Sequence, residues 1–79
     1  MINLLGKEQI IMPTIQVEIL KGRSPEKINK MIKEITVACA NALQCPNDSV
    51  KIIVREMEHT HYAVGGVTWE EKTDKPYAL

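Results

Sequence analysis

The sequence predicts an α+β fold, a small β-α-β unit with two parallel strands followed by a C-terminal hairpin. Three observations predict it. Residues 14–20 alternate apolar and polar side chains, and residues 50–57 are rich in β-branched residues, which marks two strands. Between them an apolar stripe recurs at helical spacing, with a start signal at Ser24-Pro25 and a stop at Cys45-Pro46. Val64-Gly65-Gly66-Val67 has the form of a two-residue hairpin turn.

Residues 1–12 have an apolar start broken by Gly6, Lys7, Glu8 and Gln9, too short a run for a signal-peptide core or a membrane span. They read as an N-terminal extension outside the domain, untranslated or removed. Lys7-Glu8 can be encoded AAG-GAG, a bacterial ribosome-binding sequence, and Gln9, Ile10 and Ile11 then space it from a start codon at Met12. The other reading is a genuine arm that packs on an oligomer. The difference decides the chemistry of Pro13. With initiation at Met12 and removal of that methionine, Pro13 carries a free secondary amine, which is a base. With the chain running from Met1, the same nitrogen is a tertiary amide and Pro13 is only a strand residue.

In the first strand, Ile15, Val17 and Ile19 share one face and Thr14, Gln16, Glu18 and Leu20 the other; Lys21-Gly22 ends it. Ser24 offers an N-cap oxygen, Pro25 suits the first helical position, and Glu26 sits where the helix dipole favours an anion. The stripe Ile28, Met31, Ile32, Ile35, Cys39, Ala42 and Leu43 predicts a helix packed by one face on a sheet. Its outer face carries Lys27, Lys30, Lys33 and Glu34, a solvated surface with pairs such as Glu26 with Lys30. Cys45-Pro46 ends the helix, because proline disfavours helical geometry in the residue before it. A helix of about nineteen residues spans roughly 28 Å, enough to return the chain along a strand of roughly 23 Å, so the strands run parallel.

Asn47-Asp48-Ser49 make a turn before the second strand, Val50 to Met57, on which Lys51, Ile53 and Arg55 share one face and Val50, Ile52 and Val54 the other. Apolar residues on both faces fit a strand packed on the helix by one face and on a neighbouring subunit by the other. A polar loop at Glu58 to Thr60 precedes the hairpin, and residues 68–79 form a charged tail that the pattern leaves unplaced.

Seventy-nine residues allow one domain with little to bury alone, so oligomerisation is expected. Ten basic and ten acidic side chains cancel, which leaves no electrostatic footprint for nucleic acid or an anionic membrane and favours small molecules and copies of the chain as partners. Cys39 and Cys45 are too few for a disulfide scaffold and read as reduced thiols of a cytoplasmic protein. Cys39 falls on the apolar stripe, and Cys45 has no neighbouring base to activate it. His59-Thr60-His61 offers two ligands to a metal, but zinc needs three or four and no others converge in sequence, so none is assigned.

Pro13-Thr14-Ile15-Gln16-Val17, Leu20-Lys21-Gly22-Arg23-Ser24-Pro25-Glu26-Lys27, Ser49-Val50-Lys51-Ile52-Ile53-Val54-Arg55-Glu56-Met57 and His61-Tyr62-Ala63-Val64-Gly65-Gly66 occur in order and at matching spacing. Together they resemble the 4-oxalocrotonate (2-hydroxymuconate) tautomerase family, over residues 13–67. The resemblance implies β-α-β subunits that pair through their sheets and assemble as a homo-hexamer, a trimer of dimers. It also implies catalysis without metal or cofactor by an amino-terminal proline, which moves a proton on a conjugated 2-hydroxy acid. Pro13 takes that general acid/base role. Arg23 matches an arginine, supplied by a neighbouring subunit, that grips the substrate's distal carboxylate, for which a planar fork is suited. Tyr62 falls where the family has an aromatic wall, usually phenylalanine.

Lys51 departs from the pattern. Well-studied members carry a second arginine there, which binds the carboxylate and 2-oxo group and stabilises the dienolate; lysine keeps the charge and loses the fork. Arg55, four residues on along the same face, is a second candidate cation for substrate, against the alternative of a surface ion pair. The implied reaction is enol-keto isomerisation of a muconate-type dienol diacid, with a 2-hydroxydienoate or phenylpyruvate enol as other candidates, in aromatic hydrocarbon catabolism. The rivals are a non-catalytic oligomer or binding protein, if residues 1–12 are retained, and a hydratase or dehalogenase of the same superfamily. The latter needs a carboxylate to hold water, for which Glu18 and Glu56 are the candidates.

Overall fold

The computed structural model describes residues 12–75. Strand β1 (Thr14–Leu20) leads to helix α1 (Pro25–Leu43), strand β2 (Lys51–Met57) and a hairpin of β3 (Ala63–Val64) and β4 (Val67–Thr68). Single 3-10 turns lie at Asn47–Ser49 and His59–His61. β1 and β2 pair in parallel, with Thr14 opposite Lys51 at one end and Leu20 opposite Met57 at the other, and β3 pairs antiparallel with β4. This is the α+β architecture expected, and each element follows from its local chemistry.

The helix begins as its signals predict. Ser24 is in extended geometry, Pro25 occupies the first turn, and the Ser24 hydroxyl accepts the Lys27 N–H at 3.3 Å. This satisfies one of the orphan donors of the first turn. The helix runs nineteen residues, as expected, and closes just before Cys45-Pro46. Gln44 already takes the left-handed conformation, with φ 57°, and both it and Cys45 direct their N–H groups to the Ala40 carbonyl. Pro46 holds Cys45 out of helical geometry, so the reversal falls on the residue before it. The ion pair on the outer helix face is Lys30 with Glu34, at 3.7 Å.

β2 begins at Lys51 and not at Val50, because the Val50 N–H closes the preceding turn on the Asn47 carbonyl at 3.0 Å. The Lys51 N–H is the first to join the ladder, on the Pro13 carbonyl at 3.0 Å. The faces are those expected: Ile52 and Val54 are half-buried beside Ile15, Val17 and Ile19 of β1, while Lys51, Ile53 and Arg55 are exposed. Leu20 is an exception to the alternation. It shares parity with the polar residues of β1 yet is among the most enclosed side chains, at the end where the chain turns toward the helix.

Among the described residues only Leu20, Ala40 and Trp69 are less than a tenth exposed, at 8, 5 and 6%. Two strands and one helix therefore enclose little on their own. Trp69 gives the tail a place. Its N–H donates to the Tyr62 carbonyl at 2.8 Å, the Glu70 N–H reaches the His59 carbonyl at 3.2 Å, and Lys75 lies over the indole, 5.9 Å from its centroid. Thr68 and Glu71 cap one another: the Thr68 N–H donates to the Glu71 carboxylate at 3.1 Å, and the Glu71 N–H to the Thr68 hydroxyl at 3.2 Å. The remainder of the tail and the first eleven residues lie outside the described residues, and with them the expectations placed there.

Candidate active site

The two ends of the parallel strand pair hold different chemistry. At the start of β1, half-buried Pro13 is tied through its carbonyl to the backbone of Lys51, whose side chain stands on the exposed sheet face opposite Thr14. Pro13 and a cation thus share one strand end. In this sequence Met12 acylates the Pro13 nitrogen.

At the other end Gly22, with φ 140°, turns the chain out of the sheet. A side chain there would be strained, and the glycine brings Arg23 directly against the end of the helix. Arg23 is half-buried, and its Nη1 donates to the Leu20 carbonyl at 3.2 Å. Arg23 lines a cleft of about 290 Å³ together with Pro25, Ile28, Asn29, Ile32 and Glu56. Among the described residues Arg23 has no ion-pair partner, neither Glu26 nor another.

The turn after β2 is fastened to this loop. His59 Nε2 lies 2.7 Å from the Lys21 carbonyl oxygen and donates to it, since the carbonyl can only accept. The Lys21 ammonium pairs with Glu58, and the Lys21 N–H bonds the Met57 carbonyl at 2.9 Å. The hydrogen bond from Lys21 holds Glu58 below the ordinary glutamate value, and the same bond raises Lys21 above the ordinary lysine value. His59 is thus part of a structural clasp. Among the described residues no three His, Cys, Asp or Glu side chains gather as a metal site.

Tyr62 follows the clasp and is exposed at the hairpin, where Tyr62, Val64, Val67 and Trp69 line a cleft of about 520 Å³ edged by Lys72 and Asp74. Arg55 lies mid-sheet, away from both ends. Its Nη1 donates to Gln16 Oε1 at 3.1 Å and stands 3.9 Å from the Glu18 carboxylate. This is the ion-pair alternative foreseen for it, and it also occupies Glu18.

The structure therefore brings Pro13 and Lys51 together, and separately places Arg23 and Tyr62 at the opposite end. β1 has seven residues, so roughly 23 Å of strand lies between Pro13 and the Arg23 loop. Glu56 was legible only as a carboxylate without a place. Its parity with Ile52 and Val54 puts it on the helix side of β2, beside Arg23.

The sequence model of the family described as tautomerase enzyme matches residues 13–72, from the proline onward. The chain belongs to the tautomerase family. It is 40% identical over 55 residues to a 2-hydroxymuconate tautomerase of Stutzerimonas stutzeri, a match that covers 70% of this chain and 87% of that one. It is 38% identical over 56 residues to a probable tautomerase of Staphylococcus epidermidis, covering 71% and 92%. Among solved structures, a heterohexamer 4-oxalocrotonate tautomerase from Chloroflexus aurantiacus superposes with a TM-score of 0.73 at 32% identity, over 76% of this chain and 97% of that one. The tautomerase family thus spans both strand ends and the hairpin. In this member no described helix is long and apolar enough to cross a membrane.

Proposed function

We propose that residues 13–67 form a cofactor-independent keto-enol tautomerase acting on a small unsaturated 2-hydroxy acid of the 2-hydroxymuconate type, with the amine of Pro13 as general acid/base. The observation that carries this reading is the pairing of Pro13 with the Lys51 strand end, in a chain whose family match begins at that proline. Removal of residues 1–12 frees the amine. A free α-amino group titrates at about 7.7 to 8.0, and cations and apolar walls disfavour its charged form, keeping the base near neutrality.

In the reaction Pro13 takes the proton of the 2-hydroxyl group. The oxygen's electron pair forms the carbonyl, the conjugated double bonds shift, and the proton is returned to carbon at the other end of the system. Lys51 offsets the charge that develops on the 2-oxygen and the adjacent carboxylate. Arg23 holds a distal carboxylate by charge-assisted hydrogen bonds. One subunit places Arg23 too far from its own Pro13, so the arginine and Tyr62 reach the proline from neighbouring copies in a homo-hexamer built as a trimer of dimers. The location is cytoplasmic.

The first test is the intact mass of the protein from its native host. A mass for Pro13 to Leu79 supports the reading, whereas retention of residues 1–12 overturns it and leaves an oligomer without a free amine. In the form that begins at Pro13, Pro13→Ala leaves a primary amine and is expected to lower kcat on 2-hydroxymuconate by about ten- to a hundredfold with assembly intact. Wild-type turnover by that variant would count against proline catalysis.

A further inference from the structure

Glu56 is a charged residue on the wrong side of a strand. β2 turns Ile52 and Val54 toward the helix, and Glu56 continues that parity, yet it is exposed because it opens into the cleft that also holds Arg23. Among the described residues it forms no hydrogen bond or ion pair within 4 Å, and Arg23 likewise has no carboxylate partner. Arg23 and Glu56 therefore line one small cleft without an ion pair between them, and the Glu56 charge is also felt by Lys21. Ile28 and Ile32 supply an apolar wall beside them.

We propose that Glu56 is a specificity-determining residue, which subtracts from the field of Arg23 and so reduces the advantage that a dicarboxylate holds over a monocarboxylate at this subsite. The inference rests on the reading of Arg23 as the distal carboxylate grip. A fixed anion across the cleft opposes a second carboxylate by Coulomb repulsion and leaves a neutral polar end less affected. It also accepts a hydrogen bond that a hydroxyl or amide at that end can donate while accepting from Arg23. The subsite is thereby suited to 2-hydroxy unsaturated acids whose far end is uncharged and polar as well as to diacids.

The test is binding, so that it does not depend on turnover. Adipate and hexanoate are titrated into the assembled protein beginning at Pro13 and followed by isothermal titration calorimetry. Glu56→Gln is expected to tighten adipate relative to hexanoate by about three- to tenfold at low salt, with the gain fading at high salt. Glu56→Asp retains the wild-type ratio. A ratio that is unchanged or lower in Glu56→Gln overturns the proposal, the lower ratio meaning that Glu56 holds Arg23 in place. If Arg23→Ala leaves adipate affinity unaltered, the grip itself is what fails, and the role of Glu56 falls with it. If Arg23→Ala weakens adipate while Glu56→Gln changes nothing, only the role of Glu56 is lost.

Discussion

At the scale of the residue, the proposed role of Lys51 turns on the difference between lysine and the arginine that the family resemblance places there. The Lys51 backbone is fixed by its bond to Pro13, so its ammonium starts from a defined strand end. An ammonium is a point charge with rotatable donors, whereas a guanidinium is a rigid fork matched to a carboxylate. Lys51→Arg is expected to raise kcat/KM for 2-hydroxymuconate by several-fold, read by initial rates beside wild type; an unchanged value would mean that the fork is not what limits this site. Arg55 already has partners within one subunit, Gln16 and Glu18. Arg23 is half-buried and donates to the Leu20 carbonyl. Arg23→Ala removes a charge-assisted hydrogen bond of roughly 1.5–3 kcal/mol, so kcat/KM for a diacid falls about ten- to a hundredfold. The loss for a matched monoacid should be much smaller, and equal losses would argue against a grip on the second carboxylate.

At the scale of the element, the extent of the helix was readable in the sequence, and the residue that reverses the chain at its end was not. Ser24, Pro25 and Glu26 each act through a local preference, and the structure uses all three. The end depends on which residue takes left-handed geometry, and glutamine carries no signal for that role. Gln44 adopts φ 57° because Pro46 restricts Cys45, a constraint that passes back one residue along the chain. Gln44→Gly removes the Cβ penalty of that conformation and is expected to stabilise the fold by roughly 0.5–1 kcal/mol, seen as a raised melting temperature. A lowered melting temperature would mean that the glutamine side chain contributes more than its backbone costs. The hairpin was legible for the opposite reason, since Gly65 and Gly66 sit at φ 63° and 85°, where only glycine is unstrained. The tail was missed although Thr68 and Glu71 have capping-box spacing. The box closes a turn with no apolar periodic run behind it, and what holds that turn is the burial of Trp69, which no local pattern announces.

At the scale of the whole molecule, the chain is poorly enclosed and its candidate site residues are dispersed, and both observations lead to the same expectation. Outside its few buried side chains, Val64 and Val67 are 70 and 50% exposed on the hairpin, and Ile53 is 41% exposed at the centre of the outer sheet face. Ile53 lies between Lys51 and Arg55 along β2 and opposite Gln16 of β1. A chain that leaves branched apolar side chains in the middle of a two-stranded sheet gains stability by covering them with another copy. The same covering would carry one subunit's Arg23 end toward another's Pro13 end, so assembly and activity are coupled in the proposed enzyme. Ile53→Glu places a charge where that contact would form, and breaking an interface with an unpaired buried charge costs roughly 3–5 kcal/mol. The variant is expected to sediment as a smaller species than wild type, to melt at a lower and strongly concentration-dependent temperature, and to lose turnover in proportion to dissociation. If Ile53→Glu sediments and turns over as wild type does, the outer sheet face does not join the copies. Arg23 must then reach Pro13 through contacts made by the hairpin, whose exposed valines are the other uncovered apolar surface.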